Sequence, residues 1–306
     1  MRLETDVARG AWLLRRAGTL PDVDGAVGGG FAAYARILHP VTATLEDRAE
    51  TDAQGDHPVR STTTWTWAQV ADRTGGTVHP LVQWPRLTGV DDESEIALPD
   101  GWRVSPPQAG WFEPTLLAVL AGHLATSTTT PEDLVAGFWS GWGDLNGGMT
   151  VAIGWQHTDG AARPTAAEHA ALLAGAEARA AALAADHRAF VASLAGPRLA
   201  WPGRDLVLTA TRCSDLVDPA RIDRAMLGTY LGERHTPQLL WPEDRAWAVA
   251  TEIDWDSTLV AGPRDLVDAV LADPLLEAFE VGAHDDLSWS GDRVNRRPRP
   301  DAGQVR

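Results

Sequence analysis

Residues 245–257 read RAWAVATEIDWDS, and this stretch restricts the fold more tightly than any other. Taken at every second residue, Trp247, Val249, Thr251, Ile253 and Trp255 share one side, while Ala246, Ala248, Ala250, Glu252, Asp254 and Asp256 share the other. That is the period of a β-strand and not of a helix. It predicts a strand over 245–255 with an apolar core face, so the chain has to build a sheet. On the second face, carboxylates at i, i+2 and i+4 would stand about 6.5 to 7 Å apart, from a rise of about 3.3 Å per residue. Such a row is either the solvated side of an antiparallel sheet or a chemical site. As a site it would raise the middle acid, hold a hard cation, or work as acid and base at a glycosidic bond. Glu252, Asp254 and Asp256 are therefore candidate catalytic residues, and Glu243 and Asp244 just upstream extend the patch as candidate binding residues.

The remaining periodicity mixes both element types. A strand of about seven residues is expected within FAAYARILHP (31–40), and the polar stretch 41–63 reads as turns. Thr66 with Gln69 forms a capping box for a short helix that Gly75 stops. Helices are expected at 114–125, with Leu116, Leu117, Leu120 and Leu124 on one stripe, and at 131–140, where Thr130-Pro131-Glu132-Asp133 is a start signal. Together they would make an αα-hairpin. The longest helix, Ala-rich, runs from Thr165 to Leu194, and further strands fall at 205–211, 258–261 and near Phe279, with helices after Asp218-Pro219 and from Pro263.

These elements predict an α+β fold, a mixed or antiparallel sheet with packed helices. The expected organisation is an N-terminal α+β part over 1–157, a join at 158–164, the long helix with a C-terminal α+β part over 165–290, and a disordered tail over 291–306. The two parts can also form one domain. An amphipathic helix capped by Thr5 and stopped near Gly18 opens the chain, and its Arg9, Arg15 and Arg16 break any apolar run, so neither a signal peptide nor a membrane span is expected.

Charge narrows the function classes. There are 26 basic residues, all of them Arg, against 42 acidic ones, a net charge of −16, which argues against nucleic acid as a partner. The single cysteine, Cys213, permits no intramolecular disulfide and points to the cytoplasm. Arg212 beside it would favour a thiolate, although a small buried thiol is the plainer reading.

Fourteen tryptophans against 5 Phe and 2 Tyr direct attention to indoles. In FWSGWG, Trp139 and Trp142 flank small residues, as a stacking platform for a sugar or a proline-rich peptide would, or as core filling would. His235, in a loop before Pro237, is a candidate general base with Glu233 or Asp244 to orient it. No histidine pair has metal-ligand spacing, so no metal is expected, and the glycines of 25–30 precede a strand instead of following one, so no nucleotide cofactor is expected.

Three stretches, GFAAYARILHP (30–40), TTTPEDLVAGFWSGWG (128–143) and LLWPEDRAWAVATEIDWDSTLVAG (239–262), occur in this order. In them the chain resembles a widespread group of uncharacterised actinobacterial proteins. The resemblance implies no activity. It does imply that relatives often carry cysteine where this chain has Leu134 and Ala248. The residues themselves point to a cytoplasmic, non-catalytic acidic protein that binds a protein partner, in an oligomeric state left open. The alternative is a carboxylate-dependent hydrolase, carbohydrate-directed, with Trp139 or Trp142 as its platform.

Overall fold

The computed structural model describes residues 2–51, 55, 57–148, 165–218, 220–228 and 234–295. Its strands before the long helix are β1 (Arg2–Leu3), β2 (Ala33–Leu38), β3 (Val41–Glu46), β4 (Val59–Trp65), β5 (Ile96–Ala97), β6 (Trp102–Val104) and β7 (Leu134–Trp139). After it come β8 (Leu199–Trp201), β9 (Arg204–Thr211), β10 (Leu239–Pro242), β11 (Ala248–Ala250), β12 (Ser257–Gly262) and β13 (Ala278–Val281). The helices are α1 (Ala11–Leu14), α2 (Val23–Val27), α3 (Trp67–Thr74), α4 (Trp84–Thr88), α5 (Pro114–Thr126), α6 (Gly143–Asn146), α7 (Ala166–Ser193), α8 (Cys213–Leu216) and α9 (Arg264–Ala272).

Two antiparallel sheets organise these elements, so the fold is α+β. The larger runs β1-β9-β7-β10-β11-β12-β2-β13 with β8 added beside β9, and the smaller runs β4-β3-β6-β5. Strands from both sides of 158–164 alternate in the larger sheet, which stands between two apolar layers. Ala35, Ile37, Ala136, Phe138, Val207, Leu240, Val249 and Val260 point into one layer, beneath α5, α8 and α9. Tyr34, Val135, Leu206, Leu208, Leu239, Trp241, Ala248 and Ala261 point into the other, beneath α1 and α2. Alternate residues of every central strand thus go to opposite cores, each Leu or Val contributing roughly 1.5–3 kcal/mol by burial.

That two-sided burial overturns two expectations. Residues 131–140 are not a helix: Pro131 and Glu132 form a turn, and Leu134–Trp139 is β7, paired with both β9 and β10. A strand buried on both faces reads as an unbroken apolar run, which periodicity cannot tell from a helix. The αα-hairpin is therefore absent there, and the joined helix pair lies instead at α3 and α4, where Trp67 meets Trp84 edge to face at 5.3 Å. Likewise the strand predicted over 245–255 shrinks to Ala248–Ala250, since both its faces are covered and the chain turns after Ala250.

Other local signals hold or shift slightly. The capping box of Thr66 and Gln69 and the left-handed Gly75 delimit α3, and Thr165 with Glu168 caps α7 in the same way. Polar 41–63 contains β3 and the exposed edge strand β4, not only turns. The opening helix is a 3-10 turn (Val7–Gly10) running into α1, capped by Asp6 rather than Thr5 and over well before Gly18. In α7, about 42 Å long, the fully buried side chain is His187, which meets the Asp144 carbonyl of α6 at 2.8 Å. Among the described residues no helix is long and apolar enough to cross a membrane.

The segment expected to be a tail begins inside the fold. The fully buried Asp292 carboxylate accepts from the Gln83 amide (3.2 Å) and from Asn295 Nδ2 (2.9 Å), and His79 Nε2 lies 2.9 Å from it. Residues 296–306 lie outside the described residues, as does 158–164.

Candidate functional site

The acidic row does not form as a row. With β11 ended at Ala250, residues 251–256 turn, and the Trp255 amide bonds the Glu252 carbonyl at 3.0 Å. The carboxylates part company there. Glu252 and Asp254 converge on one nitrogen, Arg204 Nη2 at the start of β9, at 2.8 and 2.5 Å. Asp256 instead faces the buried Arg36 guanidinium at 3.2 Å. The turn, not a pleat, sets these neighbours.

Around Arg204 lies a small recess with a free volume of about 20 Å³. Trp139, Trp201, Leu206, Leu239 and Ile253 make its apolar walls, and Arg204, Glu252 and Gln238 supply the polar atoms. The guanidinium stands 5.5 Å from the Trp139 ring centroid, within cation–π range. Arg204 Nε is buried with no hydrogen-bond partner among the described residues. Burial pushes the Glu252 carboxyl above its ordinary value, against the opposing charge of Arg204. Asp254 is 70% exposed and meets Arg204 from outside the recess lining. The recess thus joins two indoles, a fixed cation and a buried acid, and through Arg204 it connects to an exposed acid beside it.

Trp139 and Trp142 are half-buried and sit edge to face at 5.4 Å; Trp139 lines the recess, whereas Trp142 stacks on His235 outside its lining. Trp139 ends β7, where its amide donates to Gln238 Oε1 at 2.8 Å, and Gln238 in turn donates to the Thr236 carbonyl. His235 is buried, not a solvated loop residue: Trp142 stacks on it, and its Nε2 donates to Asp144 Oδ1 at 2.8 Å. Asp144 therefore orients it in place of Asp244, and Glu233 lies outside the described residues.

The proposed binding acids are engaged as well. Glu243 and Asp133 converge on Arg9 at 2.8 and 2.7 Å, a guanidinium that Glu4 also holds. Asp244 accepts from the Thr128 hydroxyl and from the Thr129 amide and hydroxyl; burial works against ionisation, but these bonds hold its carboxyl below the ordinary value. Arg245 does not pair with them; it adopts a left-handed backbone (φ 62°) and faces the Trp12 ring at 5.9 Å. Cys213 opens α8 instead of closing a strand, and burial pushes its thiol up to about 12, so Arg212 does not yield a thiolate.

Sequence reasoning passed over Arg204, Trp201, Gln238 and Asp144. The available signal was an arginine at the head of an otherwise apolar strand, a position that needs a carboxylate partner if it is covered. Asp22, Asp24 and His284 also offer ligand atoms within 4.8 Å of one another, from segments far apart in the chain. No family model matches the chain, and neither a curated protein nor a solved structure shows significant similarity to it.

Proposed function

We propose that this is a non-catalytic binding protein that takes a basic segment of a protein partner at the Arg204 recess. The observation that carries the reading is the sharing of Arg204 Nη2 by Glu252 and Asp254, with Asp254 largely exposed beside an indole-walled recess. Two carboxylates and an indole already hold one guanidinium, and an incoming arginine or lysine meets the same chemistry beside the recess. The net charge of −16 would steer a basic partner inward. In this reading the protein works in the cytoplasm, which a single unpaired cysteine suits.

Titration of tryptophan fluorescence with a synthetic Arg-rich peptide tests it. Saturable, salt-sensitive binding that weakens about tenfold in Asp254→Asn supports the reading. Binding indifferent to Asp254 overturns it.

A second reading has its own observation. Glu252 is raised by burial next to the exposed Asp254, and their oxygens contact one nitrogen at 2.8 and 2.5 Å, which places two carboxylates side by side as glycosidases do. Turnover of an aryl glycoside, abolished in Glu252→Gln with the fold intact, would establish the hydrolase instead.

A further inference from the structure

Strand β9 runs from the Arg204 recess to a second concavity at its other end. Where Arg204 begins it at the recess, Thr211 ends it roughly 23 Å away, at an open cleft of about 590 Å³. Four guanidiniums line that cleft: Arg2 from β1, Arg212 just past β9, and Arg221 and Arg224 from the 3-10 turn that follows α8. In a chain of net charge −16, such a concentration of cations runs against the average.

The lining carboxylates, Glu132, Asp133 and Asp215, offset this charge only in part. Asp133 is held by Arg9, and Glu132 accepts from the Ser214 hydroxyl at 2.7 Å. Asp215 stands between Arg212 (3.5 Å) and Arg221 (3.8 Å), one charge between two. Arg2 and Arg224 make no ion pair among the described residues. Four guanidiniums against three carboxylates leave the lining with one positive charge in surplus.

A second observation points to an oxygen-rich ligand. Thr211 is only 7% exposed, lines the cleft, and its hydroxyl oxygen is fully buried with no hydrogen-bond partner among the described residues. A buried hydroxyl without a partner costs roughly 1–3 kcal/mol, and native structures rarely leave one so. An acceptor oxygen brought by a ligand would satisfy it. The planar forks of arginine match the oxygens of phosphate, and the walls carry few apolar groups to grip a hydrocarbon body.

We propose that the cleft formed by Arg2, Arg212, Arg221, Arg224 and Thr211 binds a small phosphate-bearing ligand, recognised through its oxyanion. The site lies apart from the Arg204 recess and does not depend on how that recess is used. Inorganic phosphate and a phosphate monoester share the chemistry, and calorimetry separates them.

The full chain is titrated at low salt with inorganic phosphate and, separately, with glycerol 3-phosphate. Saturable binding of one equivalent is expected. Equal affinities assign the site to the free oxyanion, and a tighter monoester assigns it to an ester. Arg212→Gln with Arg224→Gln should weaken binding about tenfold, and Thr211→Val, which keeps the shape and deletes the hydroxyl, should weaken it several-fold. Arg188→Gln, on the exposed face of α7, should leave it unchanged. Absence of saturable heat with either probe overturns the proposal. Binding that survives Thr211→Val and falls equally in Arg188→Gln also overturns it, because that is diffuse charge and not a site. Thermal unfolding of each variant confirms that the fold is retained.

Discussion

The indole of Trp142 lies flat on the imidazole of His235, ring centroids 4.4 Å apart and planes 10° from parallel. The pair joins the N-cap of α6 to the loop before β10, and Asp144 completes it by accepting from His235 Nε2 while its own carbonyl meets His187 of α7. One short helix thus ties the long helix to the sheet through two histidines. Replacing His235 by Leu deletes the bond to a buried carboxylate and should cost about 2 kcal/mol, whereas Gln, which can still donate to Asp144, should cost less. Urea unfolding of the two variants measures the difference, and equal losses would assign the effect to stacking alone.

Cys213 offers a direct check on burial. Its side chain points from the first turn of α8 into the core beneath α5, 2% exposed, and burial pushes the thiol up to about 12. At pH 8 the native protein should be silent to Ellman's reagent and release one equivalent once denaturant is added. Rapid labelling of the native protein would show that α8 opens readily.

Much of the scaffold was legible because it is local. The Thr66–Gln69 box, the Pro114 start of α5 and the run within 31–40 that became β2 each need only neighbours along the chain. The site was not legible in that sense. Arg204 meets Glu252 across 48 residues and His235 meets Asp144 across 91, and no local pattern encodes which turn brings them together. The misreading of Leu134–Trp139 has a different cause: with cores on both sides, every residue of a central strand is apolar, so the alternation that would announce it vanishes. Gly137 marks the position in hindsight, since a Cβ there would come within 3.0 Å of Leu206 on the neighbouring strand.

The pH dependence of stability should carry the signature of His39. Burial pushes its imidazole down to about 4, from an ordinary 6.5, with Nδ1 bonded to the Gln108 carbonyl at 3.0 Å and Nε2 facing the Thr258 hydroxyl at 2.9 Å. Because the folded value lies below the unfolded one, the unfolded chain takes up the proton first. The contribution is therefore complete above about pH 6.5 and is lost as pH falls from there towards 4, by about 3 kcal/mol in all. Denaturant unfolding across that range should show the decline in the parent and a flatter line in His39→Gln. An unchanged slope in the variant would transfer the effect to another group.

Arg36 supplies the strongest test of how the two sheets are joined. It stands on β2 of the larger sheet, 1% exposed, yet its Nη1 donates to the carbonyls of Val82 (2.8 Å) and Pro80 (3.1 Å) in the segment leading to α4, which packs on the smaller one. Its Nε donates to Ser257 Oγ at 2.8 Å and its Nη2 faces Asp256 at 3.2 Å. Burial lowers the guanidinium and raises the Asp256 carboxyl, so each charge is tolerated only because the other is there. Arg36→Met keeps the apolar stem but strands a buried carboxylate and two carbonyls, and should cost about 3–5 kcal/mol. Adding Asp256→Asn removes the stranded charge and should restore part of that loss, so the double variant will be more stable than the sum of the single changes requires. Strict additivity in the cycle, read by chemical denaturation, would show that Arg36 acts through its carbonyl contacts alone and that Asp256 is held by something other than the ion pair.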